Sequence, residues 1–258
     1  MTDVLVCVKR VPDTSGEVVL SADGSGVDGR YAGWTMSSHE ECAVEMAVTI
    51  AGDTGGSVTV LTLGDDDSVE QLRAALAVGA DEAVRIDAAA DDYGPADVAA
   101  AIAEVVRARE GEGRPFDLVL VGNDAADTGD HQVGIRLAHL LERPVVAGAQ
   151  NAAVAVSGDR LEVRSSVSGP TEVFDVPLPA VLTVWEGGVE PRYPNISGRM
   201  RAKKARVEVL EPSGAPQGSG RLGLRVLPPP ASDVEVLGEG KAAAPRLVDV
   251  LRELGVVR

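Results

Sequence analysis

Between Gly122 and Gly134 the chain reads GNDAADTGDHQVG, which gathers Asp124, Asp127, Asp130, His131 and Gln132 into one short loop. Hydrogen-bonding groups at that spacing suit a polar ligand better than bond-breaking chemistry. The apolar run Leu118 to Val121 precedes the loop, and helical spacing of Val133, Leu137, Leu140 and Leu141 follows it. In a parallel sheet this strand, loop and helix would present free backbone N–H groups and the positive end of a helix dipole to a phosphate. The loop lacks Gly-Lys-Ser/Thr and also Gly-x-Gly-x-x-Gly, so neither familiar phosphate motif is present. Its carboxylates would repel a phosphate unless they cap the helix or take ribose hydroxyls. Asp130 is the expected cap and Asp127 a ribose or loop-shaping residue. The same residues fit an ordinary strand-to-helix loop equally well. Cys7 and Cys42, with His39, His131 and His139, have no metal-ligand spacing, so neither a metal site nor a disulfide scaffold is expected.

Alternating elements position this loop. Val4 to Val8 is a first strand stopped by Pro12, followed by a Gly-, Ser- and Asp-rich excursion with one short strand expected over Glu17 to Leu20. A helix begins at Ser38 with Glu41 at capping-box spacing, and Ser57 to Leu63 is the next strand. Asp65 to Asp67 open a second helix that Gly79 ends. Glu82 to Ile86 is a strand, and Pro95 opens the helix leading to Leu118. This repetition predicts a three-layer α/β fold, a parallel sheet with helices on both faces. After Val146 alternating strands around a Ser157-Gly158-Asp159 turn predict an antiparallel extension. From Glu211 the chain turns linker-like, and a helix from Pro245 carries Leu247, Val248, Leu251 and Leu254 on one side. The expected organisation is an α/β domain over 1–210 and an extended arm over 211–258 whose terminal helix docks on a partner.

Composition narrows the function. The 258 residues carry a net charge of −16, from 40 acidic and 24 basic side chains, which argues against nucleic acid or an anionic membrane surface. No signal-peptide layout opens the chain, and no apolar run approaches the roughly 20 residues of a membrane span. A cytoplasmic protein is expected.

Four stretches carry a family resemblance: VCVKRVPDT at the first strand, EECAVEMA in the first helix, AALAVGADEAVRI after the second, and EPRYPNISGRMRAKK, Glu190 to Lys204, preceded by LPAVLTV. In this order the chain resembles the β subunit of an electron-transfer flavoprotein from Val4 to about Val209. The resemblance implies a sheet of the adenine-nucleotide-binding kind that universal-stress proteins and ATP pyrophosphatases share. It implies a heterodimer in which an α subunit holds a redox-active FAD. The pair would take electrons from dehydrogenases and pass them to a quinone reductase or another acceptor, with no catalytic residue in this chain.

The β chain of such a pair binds AMP or, in some members, a second FAD. Carried over by position, the contacts are Cys7, Val8 and Lys9, then Ser37, Leu63, Gly64 and Gly122, and finally Asp127, Thr128, His131, Gln132, Val133 and Gly134. The family's Asn-Gln-Thr-Gly is His131-Gln132-Val133-Gly134 here, which removes a hydroxyl donor worth about 0.5 to 1.5 kcal/mol. Gln-Val-Gly is similar to the version in members with a second FAD, so AMP comes first and FAD second. His131 either replaces the lost donor or is a surface histidine at a helix start.

Thr14 and His39 fall where the family approaches the α subunit's flavin, usually with aromatic residues. Glu190, Arg192, Tyr193, Ile196 and Met200 match the segment that docks dehydrogenases, with Ile196 at the inserted aliphatic position. The basic cluster from Arg199 to Arg206 either faces an acidic partner or is solvated. A stand-alone adenine-nucleotide-binding regulator of universal-stress type is the rival class, and it needs no Glu190–Lys204 loop. An ATP pyrophosphatase would need a Ser-Gly-Gly-x-Asp-Ser loop that is missing after the first strand.

Overall fold

In the first strand, β1 (Val4–Cys7), side chains alternate between two buried clusters: Val4 and Val6 go to one, Leu5 and Cys7 to the other. A strand buried on both faces belongs inside a parallel sheet covered by helices, and the computed structural model has that arrangement. It describes residues 1–13, 15–16, 18–30, 33–155, 158–166, 169–227 and 234–257. Thr14, Glu17, Ser157 and Pro228 to Pro230, each read in the sequence, lie outside the described residues.

In chain order the strands are β1, β2 (Val11–Pro12), β3 (Trp34–Thr35), β4 (Val58–Gly64), β5 (Glu82–Asp87), β6 (Leu118–Gly122), β7 (Val145–Ala149), β8 (Asn151–Val154), β9 (Arg160–Ser165), β10 (Glu172–Pro177), β11 (Ala180–Val184) and β12 (Val207–Leu210). The helices are α1 (Ser38–Thr54), α2 (Val69–Val78), α3 (Pro95–Gly111), α4 (Val133–Leu141), α5 (Ile196–Lys204) and α6 (Ala244–Glu253). Seven strands form one sheet in the order β12-β5-β4-β1-β6-β11-β7, all parallel. Buried residues of α1, α2 and α5 pack on one face and those of α3 and α4 on the other, which makes the three layers.

The antiparallel strands form a sheet of their own, β10-β9-β8, inserted between β7 and β11. Along β9, Leu161, Val163 and Ser165 are buried while Glu162 and Arg164 between them are exposed, which gives this sheet one packed side and one open side. The capping box of α1 sits one residue earlier than its sequence spacing suggests. Ser37, extended at φ −68° and ψ 154°, is the cap, and the Glu40 carboxylate accepts from its N–H and its hydroxyl at 3.1 Å each. Asp66 and Asp67 form a three-ten turn ahead of α2, where Arg85 from β5 pairs with Asp66 at 2.7 Å.

The chain divides after Leu224 into Met1–Leu224 and Arg225–Arg258. The linker-like segment from Glu211 to Leu224 therefore lies on the first unit. Asp97, in the first turn of α3, accepts from the backbone N–H groups of Gln217 (3.1 Å) and Gly218 (2.9 Å), and Leu224 N–H donates to the Gly24 carbonyl at 2.8 Å. Gly94, which caps α3, allows this approach, since a Cβ there would stand 2.4 Å from the Gly218 carbonyl oxygen. The second unit contains α6, on which Leu247 and Val248 are exposed, as is Leu254 just after it. Among the described residues, no helix is long and apolar enough to cross a membrane.

Candidate nucleotide site

A cavity of about 460 Å³ opens at the carboxyl ends of β1, β4 and β6, the edge where open α/β sheets hold ligands. Register brings the ends together: Cys7 lies beside Leu61 of β4 and Val121 of β6. Cys7, Val8, Lys9, Leu63, Gly122, Asp127, Thr128, His131, Gln132 and Val133 all line this one cavity.

Three of the expected residues stand behind the wall. Ser37 is buried as the α1 cap, with its hydroxyl 3.4 Å from the Asp124 carbonyl. Gly64 ends β4 so close to the next turn that a Cβ would meet the Ser68 hydroxyl at 2.8 Å. Gly134 is where α4 touches the sheet, and a Cβ there would lie 2.4 Å from Thr183 Cγ2 and 2.7 Å from Val121 Cγ2. Its smallness is a packing requirement between helix and strand.

The acidic loop is tied down residue by residue. Thr183 of β11 donates its hydroxyl to Asn123, whose amide lies 3.2 Å from His131 Nδ1. His131 takes a left-handed conformation, φ 52°, with Nε2 3.6 Å from Asp124. Lys9 donates to both carboxylate oxygens of Asp127 at 2.8 and 2.7 Å. Asp130 is not the helix cap that its sequence position suggests. Gln132 occupies that position, because the positive φ at His131 delays the helix until Val133, and its side chain instead accepts from Arg136. Among the described residues the N–H groups of Gln132, Val133 and Gly134 have no hydrogen-bond partner. They open the positive end of α4 to an anion.

Several site residues were not singled out from the sequence. Glu40 lines the cavity and is buried, and its carboxyl is pushed up to about 8 by that burial, against donation from Ser37 and the nearby charge of Lys9. Burial also pushes the Cys7 thiol up, with the charge of Glu40 adding to it, so Cys7 is an inert wall residue rather than a nucleophile. Asp91, Asp92 and Tyr93 enter from the turn between β5 and α3, and Ser219, Arg221, Leu222 and Gly223 enter from the segment after Glu211. The β5–α3 turn was open to inference, because a crevice at a sheet's carboxyl edge recruits the loops of neighbouring strands. The second group carries no periodicity that would have marked it.

Away from the cavity, Arg192 pairs with Glu45 of α1 through bonds of 2.7 and 2.6 Å, and both Glu190 and Arg192 are exposed. Asn195 caps α5, accepting from Gly198 N–H at 2.7 Å. The segment read as a docking loop therefore runs into a helix, and Ile196 is that helix's first residue. Ile196 is 84% exposed, Tyr193 94% and Met200 54%, an apolar group that the described residues leave open. His39 packs edge-on against Trp185, ring centres 5.0 Å apart.

The cavity residues are compatible with an adenine nucleotide. Its lining offers free N–H groups suited to a phosphate, apolar side chains such as Leu61, Leu63, Val98 and Ile102 suited to a base, and the carboxylates of Asp91 and Asp92, which can accept from hydroxyls. Among the described residues no group of three or more potential metal ligands is present.

The sequence matches the family model described as electron transfer flavoprotein domain over residues 27–215. It is 34% identical to the electron transfer flavoprotein subunit beta of Bacillus subtilis (strain 168) over 212 residues, 81% of this chain and 79% of that protein. It is 32% identical to the subunit of that name from Syntrophomonas wolfei subsp. wolfei over 252 residues, 96% of this chain and 95% of that protein, a match that takes in the C-terminal unit. The corresponding human subunit is 34% identical over 213 residues, 81% of each chain.

Proposed function

From the premise that the chain belongs to the electron transfer flavoprotein β-subunit family, we propose that it pairs with an α subunit and holds an adenine nucleotide in the cavity at the start of α4. The carrying observation is that cavity: Gln132 and Val133, whose N–H groups are free, line it at the start of α4, and ten of the thirteen residues named from the resemblance line it. AMP suits a cavity of about 460 Å³ whose side is covered by Ser219 to Gly223. A second FAD would have to extend past that cover.

The redox chemistry belongs to the FAD of the α subunit. In this reading the chain braces that subunit, offers His39 backed by Trp185 toward its flavin, and reaches over it with α6. Tyr193, Ile196 and Met200 form the anchor on which dehydrogenases dock. The electrons leave for a quinone reductase or another acceptor.

Expression with and without the α subunit tests the pairing. Alone, the chain should purify colourless or poorly stable, and with its partner the pair should be yellow. A stable chain that stays single in the presence of the α subunit would contradict it.

A further inference from the structure

Of the lysine and arginine side chains lining the cavity, Lys9 is already held by two short bonds to Asp127, whereas Arg221 meets Asp130 only at 3.9 Å. Arg221 arrives on the stretch from Gln217 to Leu224, which Asp97 and Gly24 fix at either end. That segment brings the guanidinium within reach of Asp130, two residues before the cap of α4 and its unpartnered N–H groups. An anion seated at those N–H groups would stand beside a cation with a single loose partner among the described residues. A guanidinium offers a planar fork of donors and forms two parallel bonds with a phosphate, which a carboxylate at 3.9 Å does not satisfy.

We infer that Arg221 is the phosphate clamp of this cavity: it leaves Asp130 for the phosphate of the bound nucleotide and so makes the site selective for the nucleotide over the nucleoside. Lys9 stays with Asp127 and shapes the loop. The inference rests on the adenine-nucleotide reading given above, and it assigns the phosphate selectivity to a residue on a covering segment outside both β6 and α4.

The test is titration of AMP and of adenosine into the α/β heterodimer depleted of mononucleotide with charcoal, for the wild type, R221Q, R221K, D130N and the R221Q/D130N pair. R221Q should weaken AMP by about tenfold or more while adenosine stays within about twofold, the scale of a lost charge-assisted bond. R221K should recover part of the loss. D130N should tighten AMP severalfold, and that gain should shrink in the R221Q background. Equal weakening of AMP and adenosine by R221Q would mean that Arg221 only holds the segment in place, and an unchanged AMP affinity would mean it has no role; either result overturns the inference. A wild-type heterodimer that binds no adenine nucleotide would instead overturn the reading beneath it.

Discussion

Lys9, just beyond the first strand, holds both carboxylate oxygens of Asp127, at 2.8 and 2.7 Å, across a sequence separation of 118 residues. The bond joins β1 to the loop that follows β6 and neutralises one of the carboxylates lining the cavity. With side chains 32% and 21% exposed, the pair is neither a solvated surface bridge nor a fully buried one.

Breaking this pair from one side should therefore cost more than removing both partners. Lys9→Met leaves Asp127 charged beside the cavity. It should lower the stability of the heterodimer by about 1 kcal/mol and weaken AMP by about tenfold. The pair Lys9→Met with Asp127→Asn should recover much of both losses. Urea denaturation and AMP titration of the single and double variants form the cycle, and additive losses would show the two residues to be independent.

Glu40 gives the fold a pH dependence of known sign. Its carboxyl titrates near 4.5 in an unfolded chain and is pushed up to about 8 in the fold, because burial disfavours the charged form. Between those values the folded chain keeps a proton that the unfolded chain has released, so this group makes stability fall as pH rises from about 4.5 to about 8. Glu40→Gln keeps an accepting oxygen and carries no charge. The wild type minus Glu40→Gln difference in urea midpoint should decline across that window and level off beyond it. A flat difference would place the carboxylate's burial cost elsewhere.

Gly134 is the tightest approach of α4 to the sheet, and Gly134→Ala should destabilise the pair by about 1 to 3 kcal/mol, the usual cost of overpacking. Adding Thr183→Ser removes the nearer clashing methyl and keeps the hydroxyl that bonds Asn123 and accepts from Gly148 N–H. The double variant should regain part of the loss. Full stability of Gly134→Ala alone would contradict the packing described.

Ile196 is exposed at the start of α5, so Ile196→Ser should leave thermal stability within about 0.5 kcal/mol. The same variant should raise the concentration of heterodimer needed to half-saturate a dehydrogenase by about tenfold, as expected for an aliphatic anchor. Steady-state dehydrogenase assays with the variant as acceptor check this, and an unchanged value would remove Ile196 from the docking surface.

The parallel sheet was legible in the sequence because short continuous apolar runs alternate with helical ones, and β1, β4 and β6 bury both faces. The placement of the loop after Gly122 followed from that alternation. The helix cap did not, because Asp130 is a good capping residue by type and only the left-handed His131 decides that α4 starts later. The antiparallel strands were visible as strands, but alternation alone does not say which sheet they join. Arg221 was hidden in a Gly-, Pro- and Ser-rich segment whose position depends on backbone N–H groups reaching Asp97, a contact made across more than a hundred residues. Glu40 was not singled out because a carboxylate in the first turn of a helix is ordinarily solvated, and only the approach of Gly122, where a Cβ would meet Glu40 Cγ at 2.7 Å, marks it as buried.

The most direct test is the mass spectrum of the small molecules released when the purified heterodimer is denatured. A nucleotide in the cavity of this chain predicts one FAD with one AMP per pair, or two FADs. A single FAD and no other adenine nucleotide, from a pair that is fully active, would contradict it.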